Sequence, residues 1–352
     1  MAEQPIRIGF VGAGGIVRTR HAPGLHGVPG VEFKVVANRS AESSEKAAQE
    51  LGIERTARDW REVVESNDVD AIWIGTHPYM HREITIAALE HGKHVFCQAR
   101  MAMDYADAQA MWEAAERSDK TTMLCPPPHY MAGDRVIRRM LQEGFVGTPV
   151  NVLVQSYADA YADPSSPILW RQVKEISGYN TLDVGMMIEV LHRWLGFATR
   201  VTAMDKTVYP TRADGEGGQA TVERPDTLSA IAELESGALA TLTWSGVARH
   251  AGAANSFEIY GTDGTIRYMV GMDKPGQGKI LAGKAGDSEL KEIPIPADEA
   301  RGWTVEQDFI AGVRSGTKSV EPSFYDGLKY MEMTEAIFRS AESGQAVALP
   351  LE

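Results

Sequence analysis

The sequence predicts a two-domain α/β chain, an N-terminal parallel sheet wound on both faces by helices, followed by an α+β domain on a mainly antiparallel, open sheet. Three observations carry this. Through about residue 126, short continuously apolar runs alternate with amphipathic helical segments, the pattern of strands covered on both faces by crossover helices. The run Pro126-Pro127-Pro128 then breaks the rhythm, because residues without an N–H cannot continue a central strand. Beyond it, alternating strand patterns are joined by hairpin signals. At 352 residues the chain exceeds one ordinary domain, and the expected division is 1–126 and 127–352, with the final helix free to pack back on the first domain.

In chain order, Ile6-Arg7-Ile8-Gly9-Phe10-Val11 reads as the first strand, followed by a glycine loop and a helix to about Leu25. Val31 to Ala37 is the second strand. A helix opens near Ser40 and stops at Gly52, where a residue without Cβ suits the left-handed cap. A short helix at Asp59 to Val64, a buried strand at Ala71 to Gly75 and a helix over 79–91 follow. His94 to Cys97, a helix from Asp104 to about Ser118, and Thr121 to Cys125 complete the parallel pattern. Past the prolines come a helix near 133–143, a strand from Val150 to Gln155, a Pro/Ser/Asp-rich loop and a helix near 181–195. Leu228 to Leu234 and Ala238 to Trp244 flank Ser236-Gly237, and Phe257 to Tyr260 and Thr265 to Tyr268 flank Asp263-Gly264, two hairpins. Residues 212–219 are expected as a mobile surface loop, and helices near 303–315 and 324–343 close the chain.

Composition narrows the function. A chain 43% hydrophobic and 24% charged buries a sizeable core. Its net charge of -13 and pI near 5.2 argue against nucleic acid and anionic membranes as partners, since both need a basic face. Met1-Ala2-Glu3-Gln4-Pro5 leads directly into a strand, without a signal-peptide pattern, so a cytoplasmic protein acting on a small molecule is expected. Cys97 and Cys125 lie in strand-like runs and read as buried reduced thiols. The nine histidines lack metal-site spacing, so no metal is expected.

The loop Gly12-Ala13-Gly14-Gly15-Ile16-Val17 lies between a strand and a helix, the setting of a dinucleotide-binding Rossmann fingerprint. Gly12, Gly14, Gly15 and Ile16 are its candidate cofactor residues. Glycine is required where the chain turns tightly and where backbone approaches a pyrophosphate, and the helix start offers free N–H groups to the anion. Val17 departs from the usual Gly or Ala of the third position. The second strand ends in Asn38-Arg39-Ser40 with no carboxylate to accept ribose hydroxyls. Arg39, flanked by Asn38 and Ser40, suits a 2′-phosphate, so NADP is the expected cofactor, with NAD possible.

Further segments resemble the Gfo/Idh/MocA group (glucose–fructose oxidoreductase, inositol dehydrogenase, rhizopine catabolism). Thr76-His77-Pro78-Tyr79-Met80-His81 is similar to its Thr-Pro-Asn-x-x-His segment, and Ala87-Ala88-Leu89-Glu90-His91-Gly92-Lys93-His94-Val95 to its Ala-Leu-x-x-Gly-Lys-His-Val stretch. Asp326 to Gly344 resembles its closing helix. The likeness spans nearly the whole chain. It implies a Rossmann domain, a second domain whose sheet floors the substrate site, and a homo-oligomer, dimer or tetramer. It places Thr76, His77, His81 and Gln98 at the cofactor, with Trp170 and Arg171 near it.

The departures bear on chemistry. Where the family has Glu-Lys-Pro, the sequence has Gln98-Ala99-Arg100; where it has Asp-x-Gly-x-His-x-x-Asp, the sequence has Asp183-Val184-Gly185-Met186-Met187-Ile188-Glu189-Val190. Ala99 replaces the lysine and Met187 the acid/base histidine, and neither side chain exchanges a proton. Candidates for that role are Asp183, which the motif retains; Tyr179, in the turn before it; Lys174, an amine just upstream of that turn; and His129, after the proline run. The expected activity is NADP-preferring oxidation or reduction of a polyol, sugar or similar hydroxylated molecule with a non-standard acid/base set. The alternatives are a redox-neutral lyase, isomerase or glycosidase with tightly held NAD(P), and a non-catalytic NADP-binding protein.

Overall fold

The computed structural model describes residues 4–126, 131–251, 254–270, 278–300 and 302–352. The chain divides into two compact units, residues 1–126 with 304–328, and 127–303 with 329–352.

The first unit is a parallel sheet of β1 (Ile6–Val11), β2 (Val31–Ala37), β3 (Arg55–Thr56), β4 (Ala71–Ile74), β5 (His94–Cys97), β6 (Thr122–Leu124) and the late strand β17 (Ser319–Val320). The order is β17-β6-β5-β4-β1-β2-β3. The chain winds outward from β1 in both directions, so β1 and β4 flank a topological switch point, where open parallel sheets bind ligands beyond the strands' carboxyl ends. The central strands are largely apolar because both faces are covered: β4 is entirely buried. Helices α1 (Ala22–His26), α2 (Ala41–Leu51), α3 (Trp60–Val64), α4 (His81–Glu90), α5 (Tyr105–Arg117) and α9 (Val305–Ser315) accompany them. The expected single helix after the glycine loop is instead a turn of wider π-helix, Val17–His21, leading into α1. Pro23 lacks the N–H an α-ladder would use there, and Ala22 N–H bonds Val17 O, five residues back. Residues 304–328, read from sequence as part of the second domain, belong to the first unit, because β17 adds a parallel edge to β6.

The second unit holds α6 (Asp134–Gln142), α7 (Lys174–Ser177), α8 (Val184–Leu195) and most of α10 (Phe324–Ser343). Its large sheet comprises β7 (Pro149–Tyr157), β8 (Ala198–Lys206), β11 (Thr227–Leu234), β12 (Leu239–Ser245), β13 (Ala254–Gly261), β14 (Gly264–Val270), β15 (Lys279–Lys284), β16 (Lys291–Ile293) and β18 (Val347–Ala348). The order is β16-β15-β14-β13-β7-β12-β11-β8-β18, antiparallel except for the β7–β12 pair. Val152, Val154, Leu242, Trp244, Phe257 and Ile259 bury one face. Trp194 of α8 closes on Phe257, with ring centroids 4.9 Å apart, and donates its indole N–H to buried Asp134 at 2.8 Å. The segment expected as a mobile loop is largely a hairpin of β9 (Thr211–Ala213) and β10 (Gln219–Thr221). Arg212 is buried there and donates to the carbonyls of Tyr161 and Asp163, an anchor that the Asp/Gly-rich turn does not announce.

Candidate active site

The glycine loop leaves β1 at the switch point, and its geometry answers to backbone crowding. Gly12 adopts φ +84°, and a Cβ there would stand 2.8 Å from the Thr76 backbone nitrogen. A Cβ on Gly75 would collide with Gly12 O and come within 2.5 Å of Val17 Cγ2. The Val17 departure is thereby explained: the valine methyl fills space that Gly75 leaves open, so the missing side chain moves from helix to strand end. Gly14 and Gly15 are exposed, and nothing lies within 4 Å of a Cβ built on either. Ile16 leads into the first helical turn in αR conformation. Free space over two glycines, next to a helix start, fits a dinucleotide pyrophosphate. Arg18 straps the loop, donating to Ala13 O at 3.0 Å and pairing with Glu50 of α2 at 2.6 Å.

At the end of β2 three expected cofactor residues divide their roles. Asn38 Oδ1 accepts from Ala13 N–H at 2.7 Å and its amide donates to Ser43 O at 2.8 Å, so its side chain shapes the loop. The Ser40 hydroxyl is engaged in a capping box with Ser43 at the start of α2. Arg39 is exposed and makes no side-chain hydrogen bond or ion pair among the described residues.

Beyond β4 and β5 the ring of His81 is fully buried, its nitrogens 3.0 Å from the carbonyl oxygens of Thr76 and Met101. Expected at the cofactor, His81 instead ties together the two segments that carry Thr76 and Gln98, and burial pushes its pKa down. Thr76 is half-buried against the Gly12 turn. His77 is exposed, its ring stacked near that of Tyr79. Gln98 is half-buried, with its side-chain oxygen 3.1 Å from Nε2 of buried His21. The Ala99–Arg100 peptide is cis, and Arg100 is buried rather than presenting a surface charge. Burial raises the pKa of both Cys97 and Cys125, which leaves inert thiols.

In the second unit, Asp183 sits half-exposed ahead of α8, where Ser156 Oγ donates to its Oδ2 at 3.5 Å. Met187 and Val190 face the core. Glu189 is buried against Arg193 at 3.3 Å, an ion pair within α8. Tyr179 is stacked on Phe338 at 5.2 Å, with the Arg224 guanidinium 4.9 Å from its ring centre. Lys174 is exposed at the start of α7. Trp170 and Arg171 form one 3₁₀ turn, the guanidinium 4.2 Å from the indole centre. His129 lies outside the described residues. Sequence reading missed Asp226, fully buried, which accepts from the backbone of Val208 and Tyr209 at 2.8 and 3.0 Å and from Gln172 at 3.4 Å. It also missed Glu306, 285 positions from its partner His21, a separation no local pattern bridges. Among the described residues no group of three or more His, Cys, Asp or Glu is placed to hold a metal, and no helix is long and apolar enough to cross a membrane.

Comparison with known proteins agrees with this geometry. Residues 6–125 match the profile of the Gfo/Idh/MocA oxidoreductase family, NAD-binding Rossmann fold, and residues 135–267 match a Gfo/Idh/MocA C-terminal domain. The levoglucosan dehydrogenase of Pseudarthrobacter phenanthrenivorans is 27% identical, the alignment covering 99% of each chain. The myo-inositol 2-dehydrogenase of Thermotoga maritima is 24% identical over 98% of each. A solved structure of levoglucosan dehydrogenase in complex with NADH and L-sorbose superposes with a TM-score of 0.86 at 25% identity, covering 98% of this chain and 99% of that one. With its glycine cradle, parallel sheet and open second sheet, the chain belongs to the Gfo/Idh/MocA family and is an NAD(P)-dependent oxidoreductase.

Proposed function

We propose that the chain is an NADP-preferring dehydrogenase of a polyol, sugar or similar hydroxylated molecule, with Asp183 handling the proton. The observation that carries the cofactor preference is Arg39, an exposed guanidinium at the end of β2 in a turn without a carboxylate. A bare guanidinium there suits a 2′-phosphate, whereas a carboxylate would accept the ribose hydroxyls of NAD. The substrate class rests on full-length likeness to proteins named for levoglucosan and myo-inositol. NADPH is expected to bind about tenfold or more tightly than NADH, and Arg39→Ala to erase most of that difference. Equal affinities in the unmodified protein, measured by fluorescence titration, overturn the preference.

The dinucleotide, when bound, accepts or donates hydride. The protein must then move one proton, and Ala99 and Met187 cannot. Asp183 retains a carboxylate that takes a hydroxyl proton directly or through a held water. Asp183→Asn is expected to lower kcat roughly 100-fold while NADPH affinity stays unchanged. Substrate turnover without net change in reduced-nicotinamide absorbance would replace this reading by the redox-neutral one. The exposed face of the large sheet is the surface by which we expect the chain to pair with a second copy, in a cytoplasmic homo-oligomer.

A further inference from the structure

We propose that the buried His21–Glu306 pair is a positioning device that holds the Gln98 side chain with its NH2 group turned to donate to the nicotinamide-side ribose. The inference rests on the reading that places Gln98 at the bound dinucleotide. His21 and Glu306 have no exposed side-chain surface, and His21 Nδ1 lies 2.6 Å from Glu306 Oε1. The other ring nitrogen, Nε2, lies 3.1 Å from Gln98 Oε1. An amide oxygen only accepts, so Nε2 carries a hydrogen wherever the proton between His21 and Glu306 resides. That bond occupies the oxygen end of Gln98 and leaves the NH2 end for another acceptor.

The ring itself has little freedom. It lies 5.0 Å from the Trp73 ring and 5.2 Å from that of Phe96, two residues from strands β4 and β5. Glu306 is pressed into the space over Gly24, where a Cβ would stand 2.6 Å from its carboxyl carbon. A histidine fixed from three sides transmits its orientation to the amide, as carboxylate partners do for catalytic imidazoles. In this chain the device turns Gln98 into a donor at a position where the resembled family has a carboxylate acceptor.

The experiment uses the full chain and binding rather than turnover. The variant His21→Leu with Glu306→Met removes both members of the pair together, since a buried ion pair replaced by apolar residues of similar size keeps the fold. Affinities for NADPH and for 2′,5′-ADP, which lacks the nicotinamide half, are measured by calorimetry. The expected result is a loss of about tenfold for NADPH with no change for 2′,5′-ADP. Gln98→Ala should lose a similar factor, and the triple variant should lose no more than Gln98→Ala alone, because the pair acts through that amide. Unchanged NADPH affinity in the pair variant, with Gln98→Ala still weakened, overturns the positioning role and leaves Gln98 at the cofactor. Unchanged affinity in Gln98→Ala overturns the placement of Gln98 itself, and the inference with it. Equal losses for both ligands mark the pair as structural support only and overturn it as well.

Discussion

At the scale of single residues, the glycines of the loop do different work, and the difference is measurable. Gly12 is confined by its φ of +84° and by the Thr76 backbone, so Gly12→Ala strains the empty protein. Gly14 faces open space, so Gly14→Ala should leave the melting temperature within about 1 °C of the parent, in keeping with a surface change of small ΔΔG. The same methyl intrudes where the pyrophosphate would lie, and NADPH affinity should fall tenfold or more. Calorimetric melting with and without NADPH checks both; a destabilised Gly14→Ala protein that binds normally contradicts the assignment. The loop motif was legible in sequence, as was the anomaly at Val17. The compensation by Gly75 was not, because it depends on the Val17 methyl meeting the Gly75 backbone across 58 residues of chain, from 17 to 75. Asn38 and Ser40 show the same limit: their type suggested ligand contact, while their hydrogen bonds serve the loop and a helix cap.

At the scale of elements, helix α8 is an amphipathic helix that the sequence announced. Its periodicity was readable, and its apolar face is buried through Val184, Met187, Ile188, Val190 and Leu191. Its last turn carries His192, which is buried and has no hydrogen-bond partner for either ring nitrogen among the described residues. Burial first, and the charge of Lys329 second, lower its pKa from the usual 6.5 to about 3. In the unfolded chain the ring takes up a proton below pH 6.5, whereas the folded one resists until about pH 3. Stability is therefore whole above pH 6.5 and falls as the pH drops toward 3, by up to roughly 5 kcal/mol at the low end. His192→Leu should flatten this dependence, and urea unfolding at pH 7.5 and 5 should show the parent losing more stability than the variant. Identical pH slopes would mean that other groups govern acid sensitivity.

At the scale of the whole molecule, the large sheet buries one face and exposes the other. Met204, Ile231 and Leu153 are 79%, 56% and 41% exposed on three of its strands, an apolar face that we propose pairs with a second copy. Met204→Lys with Ile231→Lys should convert an oligomer to monomer by light scattering while far-ultraviolet circular dichroism stays unchanged. A monomeric parent protein removes the proposal.

By itself the sequence determined the two sheet types and the glycine cradle, because these follow from period, turn chemistry and residue identity. Those signals are local: they need a window of one strand, one turn or one helix. The tertiary structure alone decided that residues 304–328 complete the first unit, that His81 is a staple, that Arg212 is an anchor, and that Glu306 and His21 meet beneath Gln98. Each of these depends on contacts that no single strand, turn or helix contains, and the polar side chains among them are buried where the fold supplies their partners.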